Sequence, residues 1–108
     1  MNIGISLNDR CLGYLEEGHD DYLFFANVKE IAISKNEDPI TMMLFNIPDE
    51  IVCHLKEIPN VYREYLNCAE RDDIVSNAKI IDGDSDFVKL YKIASLNPNV
   101  INFKIFVA

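Results

Sequence analysis

The sequence lacks the motifs that identify many enzymes and nucleotide-binding proteins. Its four glycines are scattered and cannot form a glycine-rich phosphate-binding loop. No Gly-x-Ser-x-Gly nucleophile elbow occurs, and no two Asp or Glu residues are marked by their spacing as a general acid and a general base. The sequence therefore predicts no catalytic residue and no cofactor, and we expect a protein that is not an enzyme.

Cysteine is scarce, and the residues present are poorly placed for disulfide bonds. Cys11, Cys53 and Cys68 are an odd number at wide spacing, so we expect three free thiols. Cys53 and His54 would point about 100° apart on a helix, which makes a shared metal ion or proton difficult. The other Cys and His residues lack the spacing of zinc ligands. A Cys–His dyad assembled by the fold, such as His19 with Cys68, remains the alternative.

Long apolar runs are also missing. The densest ones, residues 23–26 and 42–45, are far too short to span a bilayer. The N-terminal residues lack the basic start and the long apolar core of a secretory signal, and free thiols fit a reducing compartment. The sequence therefore predicts a cytoplasmic protein that does not bind a membrane.

Positive charge is sparse and unevenly distributed. The formal net charge is −8 at pH 7. Residues 1–86 carry all 18 carboxylates and seven of the ten Lys and Arg, a net charge of −11, whereas residues 87–108 carry three lysines and no acid. Without clustered Lys and Arg we expect no nucleic-acid partner. An acidic surface is an ordinary solubility feature, and it also permits electrostatic steering toward a basic protein.

The acids concentrate in two groups on predicted loops, where functional residues are common. The nine residues predicted to bind a basic partner are Glu16, Glu17, Asp20, Asp21, Asp72, Asp73, Asp82, Asp84 and Asp86. The residues around Asp84 are similar to the start of a calcium-binding loop, but Phe87 stands where that loop needs glycine, and Ile93 where it needs a bidentate Glu. The pattern instead predicts the start of a helix, with no metal site.

The N-terminal third permits two interpretations at two points. Residues 2–6 alternate like a short strand. Residues 7–17 begin with a capping pattern and stop at Gly18, which predicts a helix, and a hairpin turning at residues 8–10 is the alternative. Residues 22–34 have apolar residues at helical spacing and are predicted to be a helix, with two short strands as the alternative.

Clearer signals bound the elements that follow. Pro39 ends a polar turn, and Asn46 with Pro48 is typical of a helix start. The predicted elements are a central strand at 40–45, helices at 46–57 and 61–71, a strand at 74–82, a helix at 86–96 and a strand at 100–107. Tyr62 and Tyr65 share a stripe on the second helix. At helical spacing such a stripe is more often core than a platform for stacking bases.

The last strand has one fully apolar face, which must lie on a core. Its members are Ile101, Phe103, Ile105 and Val107. The whole pattern predicts a single α+β domain over residues 1–108, with a mixed sheet of three to five strands, helices mainly on one face, and a C-terminal strand–helix–strand unit.

The predicted function follows from size and charge. We expect an acidic cytoplasmic protein-binding module, an inhibitor or toxin-immunity protein that blocks a basic partner such as a nuclease. The alternative is a small enzyme or ligand-binding domain whose site is assembled by the fold, and a deep polar pocket would favour it. The partner's identity and the oligomeric state are not encoded in any motif.

Overall fold

A five-stranded antiparallel sheet forms one layer of the molecule, in strand order β4-β3-β2-β1-β5. The computed structural model of the chain describes residues 1–67, 71–97 and 101–108. The strands are β1 (Asn2–Leu7), β2 (Arg10–Glu17), β3 (Tyr22–Ala26), β4 (Val52–Leu55) and β5 (Lys104–Val107). The first three strands form a meander, and β4 and β5 are the two edge strands of the sheet.

The hairpin of β1 and β2 is formed by residues that tolerate unusual backbone angles. Asn8 and Asp9 both have positive φ, 50° and 64°, as a two-residue turn requires. Gly13 has a φ of 151° beside a bulge in the pairing, and a Cβ there would lie 2.4 Å from the carbonyl oxygen of Phe25. The helix predicted over residues 7–17 is therefore wrong, and the hairpin alternative is confirmed.

The helices supply the second layer and cover one face of the sheet. They are α1 (Val28–Glu37), α2 (Pro39–Met42), α3 (Asn60–Leu66), α4 (Asp72–Ala78) and α5 (Asp86–Ala94). The core between the layers contains Ile3, Ile5, Leu15, Phe24, Tyr62, Tyr65, Phe87, Leu90, Ile93, Phe103 and Ile105, each at most 1% exposed. Within the described chain, no helix is long and apolar enough to cross a bilayer.

Two tyrosines of α3 bind the helix layer to the sheet layer. The hydroxyl of Tyr62 donates to the carbonyl oxygen of Ile3 at 2.9 Å, and that of Tyr65 donates to the carbonyl of Phe103. Both side chains are fully buried, so each polar tip has a partner where no water reaches it. The stripe predicted on this helix is core, and it offers no stacking surface.

The opposite face of the sheet remains open to solvent. Tyr14, Phe25 and Val52 lie in one row across it and are 36–38% exposed. The ring of Phe106 lies over Gly4, where a Cβ would come within 2.3 Å of a ring carbon, and meets Tyr14 edge-on at 6.2 Å. Among the described residues, helices therefore pack mainly on one face, as expected.

Three predictions between residues 22 and 57 were wrong. Residues 22–34 divide into β3 and α1, because the first five residues pair with β2. Residues 40–45 form no strand, since Pro39 begins α2 and the carboxylate of Asp38 accepts the N–H of Thr41 at 3.2 Å. Residues 46–57 form no helix: the last part is β4, and its pairing with β3 overrides the helix-start signal.

The α+β class with a five-stranded sheet is confirmed, with two corrections in its second half. The sheet is antiparallel rather than mixed. Residues 74–82 form no strand, because α4 runs to Ala78 and Lys79 closes it with a φ of 59°, so the strand–helix–strand unit is also wrong. Within the described residues, helices lie in the predicted spans 61–71 and 86–96.

The C-terminal strand is shorter than predicted but buries the expected face. Regular pairing covers Lys104–Val107, and the first predicted position lies outside the described residues. Phe103 and Ile105 are at most 1% exposed, Ile101 packs against the core, and Val107 is 38% exposed at the edge.

Truncation of Phe103 tests whether the C-terminal strand is part of the core. We expect Phe103→Ala to lower the free energy of unfolding by about 3–5 kcal/mol, since a buried ring is replaced by a cavity. Urea denaturation measures this change, and Val107→Ala is the matched control, with an expected loss well below that of Phe103→Ala because its side chain is partly exposed. Equal losses in the two variants would show that the strand is not buried as described.

Candidate functional site

The turn between β2 and β3 collects the first group of predicted acids at one end of the sheet. The N–H of Gly18 donates to the carbonyl oxygen of Asp21 at 2.8 Å, which closes the turn tightly. A carboxylate oxygen of Asp21 lies 3.4 Å from Nδ1 of His54 on β4. We use the name acidic hairpin for Glu16, Glu17, Asp20 and Asp21; all four are at least partly exposed.

A surface depression of about 450 Å³ lies at the acidic hairpin. Its lining contains three carboxylates and one ammonium group. The lining residues are Glu17, Gly18, His19, Asp20, Asp21, Tyr22 and Lys56. A neighbouring depression of about 380 Å³ also includes Lys56 in its lining. Excess negative charge around a concave surface suits a cationic group of a binding partner.

Tyr22 lies between the acidic hairpin and the beginning of α5. Its ring stacks on that of Phe87, with centroids 6.3 Å apart. Burial raises the pKa of Tyr22, the carboxylates of Glu17 and Asp86 raise it further, and Arg63 opposes them. Asp86, which the sequence places in the second acidic group, therefore lies close enough to act on the same ring as Glu17.

Most of these carboxylates have no ion-pair partner among the described residues. In the part of the chain that the structure describes, Glu16, Glu17, Asp20 and Asp86 have no Lys or Arg nitrogen within 4 Å. The guanidinium of Arg63, which lowers the pKa of Tyr22, donates from Nε to the carbonyl of Ile58 at 2.9 Å, and Lys56 lines the depression without an ion pair to these carboxylates. Within the described chain, Glu16, Glu17, Asp20 and Asp86 thus present unpaired carboxylates to solvent, whereas Asp21 has His54 as a neighbour at 3.4 Å.

The second predicted group is divided by the fold. Asp84 serves the structure: its carboxylate accepts from Nζ of Lys92 at 2.6 Å and from the N–H of Ile81 at 3.1 Å. These bonds hold its pKa below the usual range, the lysine having the larger effect. Asp73 pairs with Arg71 at 3.1 Å on the surface. The structure does not place either of these two residues with the acidic hairpin.

The side chain of Asp82, exposed in the loop before α5, makes no hydrogen bond or ion pair among the described residues, and Asp72 begins α4 with a side chain that lies outside them. Ser85 caps α5 by accepting the N–H of Val88 at 3.2 Å, which confirms the predicted helix start.

Cysteine and histidine do not assemble a site in the described residues. Cys53 faces the core, where its thiol donates to the carbonyls of Pro48 and Glu50, while His54 points to the exposed side of β4. Cys11 and Cys53 are free thiols, and Cys68 lies outside the described residues, so its pairing with His19 stays a hypothesis. No group of three or more His, Cys, Asp or Glu within residues 1–67, 71–97 and 101–108 could hold a metal ion.

Sequence reasoning missed His54, Lys56 and Tyr22 as members of this site. The first two were assigned to a helix, and only the pairing of β4 with β3 brings them beside the turn. The run from Ile51 to Leu55, with its β-branched start, is the signal that could have indicated a strand.

Substitution of Asp84 tests its structural role. A carboxylate whose pKa is lowered by folding stabilises the folded protein above its unfolded pKa, and the stabilisation is lost as the pH falls through the folded value. We expect Asp84→Asn to lower the urea midpoint at neutral pH and to differ little from wild type well below about pH 3.9, the ordinary pKa of Asp. Asp82→Asn, the exposed control, should match wild type at both pH values. If the urea midpoint of Asp84→Asn equals that of wild type at neutral pH, the Asp84 carboxylate does not stabilise the folded protein.

Titration of Tyr22 tests whether Glu17 and Asp86 approach it. Removing either negative charge makes the phenolate less unfavourable, so we expect Glu17→Gln and Asp86→Asn each to lower the pKa of Tyr22. The chemical shift of the tyrosine ζ carbon, followed by NMR against pH, measures it, and Asp9→Asn at the other end of the sheet is the control. A pKa of Tyr22 that is the same in all three variants would contradict the convergence of the two carboxylates.

The chain was also compared with known proteins. No protein-family model, no curated protein and no solved structure matches it. The interpretation of this site therefore depends on its geometry and charge.

Proposed function

We propose that the protein is a non-enzymatic binding module that docks a basic protein through the acidic hairpin and Asp86. In this role it acts as an inhibitor or immunity protein that blocks a basic enzyme such as a nuclease. One observation carries the proposal: Glu17 pairs with Tyr22 across β2 and β3, Asp86 directly precedes the Phe87 whose ring stacks on Tyr22, and no Lys or Arg nitrogen of the described chain lies within 4 Å of either carboxylate.

Electrostatics explains why such an arrangement suits a partner of opposite charge. Uncompensated carboxylates on one end of a protein of net charge −8 create a directional negative potential. This potential attracts a basic surface, orients it before contact, and repels phosphate backbones. Because exposed charges are screened beyond roughly 8–10 Å at physiological ionic strength, the attraction depends on salt.

The depression beside the turn offers a place for one cationic side chain of the partner. Glu17, Asp20 and Asp21 supply carboxylates on its lining, and Tyr22 supplies an aromatic ring. An Arg inserted there can make charge-assisted hydrogen bonds with a carboxylate and stack on the ring. The partner is therefore expected to present an exposed Arg or Lys at the centre of its docking surface.

The test compares three proteins of defined charge as bait in an extract of the source organism. Wild type is compared with Glu17→Gln/Asp20→Asn and with the control Asp9→Asn/Asp73→Asn, in which the same two charges are removed away from the hairpin. All the changed side chains are exposed, so the variants are expected to fold, and circular dichroism checks this. We expect wild type and control to retain the same basic protein and the hairpin variant to retain much less.

Association kinetics of the protein with the purified basic partner then show whether the position of the charges matters or only the net charge. We expect the hairpin variant to associate about 3–10 times more slowly at low ionic strength, with a flatter salt dependence and a nearly unchanged dissociation rate. Retention of no basic protein by wild type, or equal association rates for the two double variants, would contradict the proposal. In that case the domain with a ligand site assembled by the fold becomes the better hypothesis.

A further inference from the structure

The segment that follows α2 continues it as a short, tightly wound turn. The N–H groups of Met43, Leu44 and Phe45 donate to the carbonyls three residues earlier, at 3.0–3.2 Å. In such a turn, residues three apart lie on the same side. The segment therefore has two distinct sides although it is only about two turns long.

One side of this segment is fixed in the core. Met42 and Phe45 are each 4% exposed. The ring of Phe45 stacks on Phe103 with centroids 6.2 Å apart and meets Phe24 edge-on at 5.8 Å. The backbone that carries the other side is thus held by aromatic contacts with β3 and with the residue just before β5.

The other side presents three large apolar side chains to solvent. Ile40 and Met43 are both 80% exposed, and Leu44 is 50% exposed. We call these three residues the apolar ridge. Single exposed apolar residues are common on protein surfaces, but a contiguous group held out by a buried anchor marks an interaction site. Positions i, i+3 and i+4 are also those by which a helix inserts into a partner's groove.

The charges around the apolar ridge specify the partner's charge. Residues 36–53 contain four carboxylates and no Lys or Arg. Two of them are paired, Glu37 with Arg10 at 3.0 Å and Asp49 with Lys35 at 2.8 Å, whereas Asp38 and Glu50 have no Lys or Arg nitrogen within 4 Å among the described residues. A second copy of the chain would bring like charges together, and an anionic membrane would be repelled.

We propose that the apolar ridge is an anchor that inserts into an apolar groove of a protein partner whose rim carries Lys and Arg. The convex shape of the ridge requires a concave receptor, and its acidic surroundings require a basic rim. This surface shares no residue with the acidic hairpin. Buried apolar anchors act mainly on dissociation, whereas exposed charges act mainly on association.

The first experiment identifies what covers the ridge. A photo-crosslinking benzoylphenylalanine replaces Met43 in the purified protein, and a control protein carries it at Ile81, which is 64% exposed elsewhere. Both are irradiated in an extract of the source organism, and adducts are identified by mass spectrometry. We expect an adduct at position 43 only, formed with a protein whose crosslinked residues line an apolar groove with a Lys and Arg rim. No adduct at 43, or the same adducts at both positions, overturns the proposal.

The second experiment measures dissociation of the crosslinked partner from wild type, Ile40→Ser/Met43→Ser and the control Ile81→Ser. We expect the ridge variant to dissociate about tenfold faster or more, and the control to match wild type. All three side chains are exposed, so folding is expected to persist, and the urea midpoint checks it. Dissociation unchanged in the ridge variant overturns the inference. Glu17→Gln/Asp20→Asn should change the association rate alone. An unchanged dissociation rate in the ridge variant therefore contradicts the role of the ridge, and an unchanged association rate in the hairpin variant contradicts the role of the acidic hairpin.

Two further measurements test whether a second copy of the chain or a membrane surface covers the apolar ridge instead. Analytical sedimentation compares wild type with Ile40→Ser/Met43→Ser. A dimer that forms through the ridge would be present in wild type and absent in the variant. Flotation with vesicles of phosphatidylcholine, with and without phosphatidylglycerol, detects membrane binding that they abolish. We expect wild type to be monomeric and to remain off both vesicles. A ridge-dependent dimer or ridge-dependent vesicle binding would overturn the proposal.

Discussion

The buried hydrogen bonds of Tyr62 and Tyr65 are the interaction on which the rest of the structure depends. They bind α3 to the backbone of β1 and to the residue before β5, which are 59 and 38 residues away in the chain, respectively. A hydroxyl without a partner in that position would be strongly unfavourable, so the bonds specify how the helices lie on the sheet. The aromatic rings around them, including Phe45 on Phe103, then determine which side of α2 faces solvent.

The packing of helices on one face of the sheet also determines where acidic side chains can lie together. Because helices occupy one face, the ends of the sheet and the beginning of α5 are the positions at which acids from different parts of the chain can meet. Tyr22 lies at such a junction, between β3 and Phe87 of α5. Asp84 shows the opposite case, in which a carboxylate is used inside the protein by Lys92 and Ile81. Identical residue types are thus bonded inside the protein or left exposed to solvent according to their neighbours.

Several features followed directly from local patterns. The helix that begins at residue 86 and the buried face of Phe103 and Ile105 depend on neighbouring residues or on simple periodicity, and both were predicted correctly. The acidity of residues 16–21 and the loop at residues 18–21 were likewise predicted from composition, whereas Glu16 and Glu17 lie on β2 and not on the predicted helix. The errors concentrate between residues 7 and 57, where short apolar segments fit a helix and a strand almost equally.

The sequence by itself determined the α+β class, the acidic balance, the absence of a recognisable catalytic motif and the alternation that buries the C-terminal strand. These properties depend on residues close together in the chain. Only the tertiary structure decided that residues 7–17 form a hairpin turn and β2, that β4 brings His54 and Lys56 to the acidic hairpin, and that Ile40 and Met43 face solvent. Each of these outcomes depends on pairing or packing between distant segments, which can outweigh local preferences worth only about 1 kcal/mol per residue.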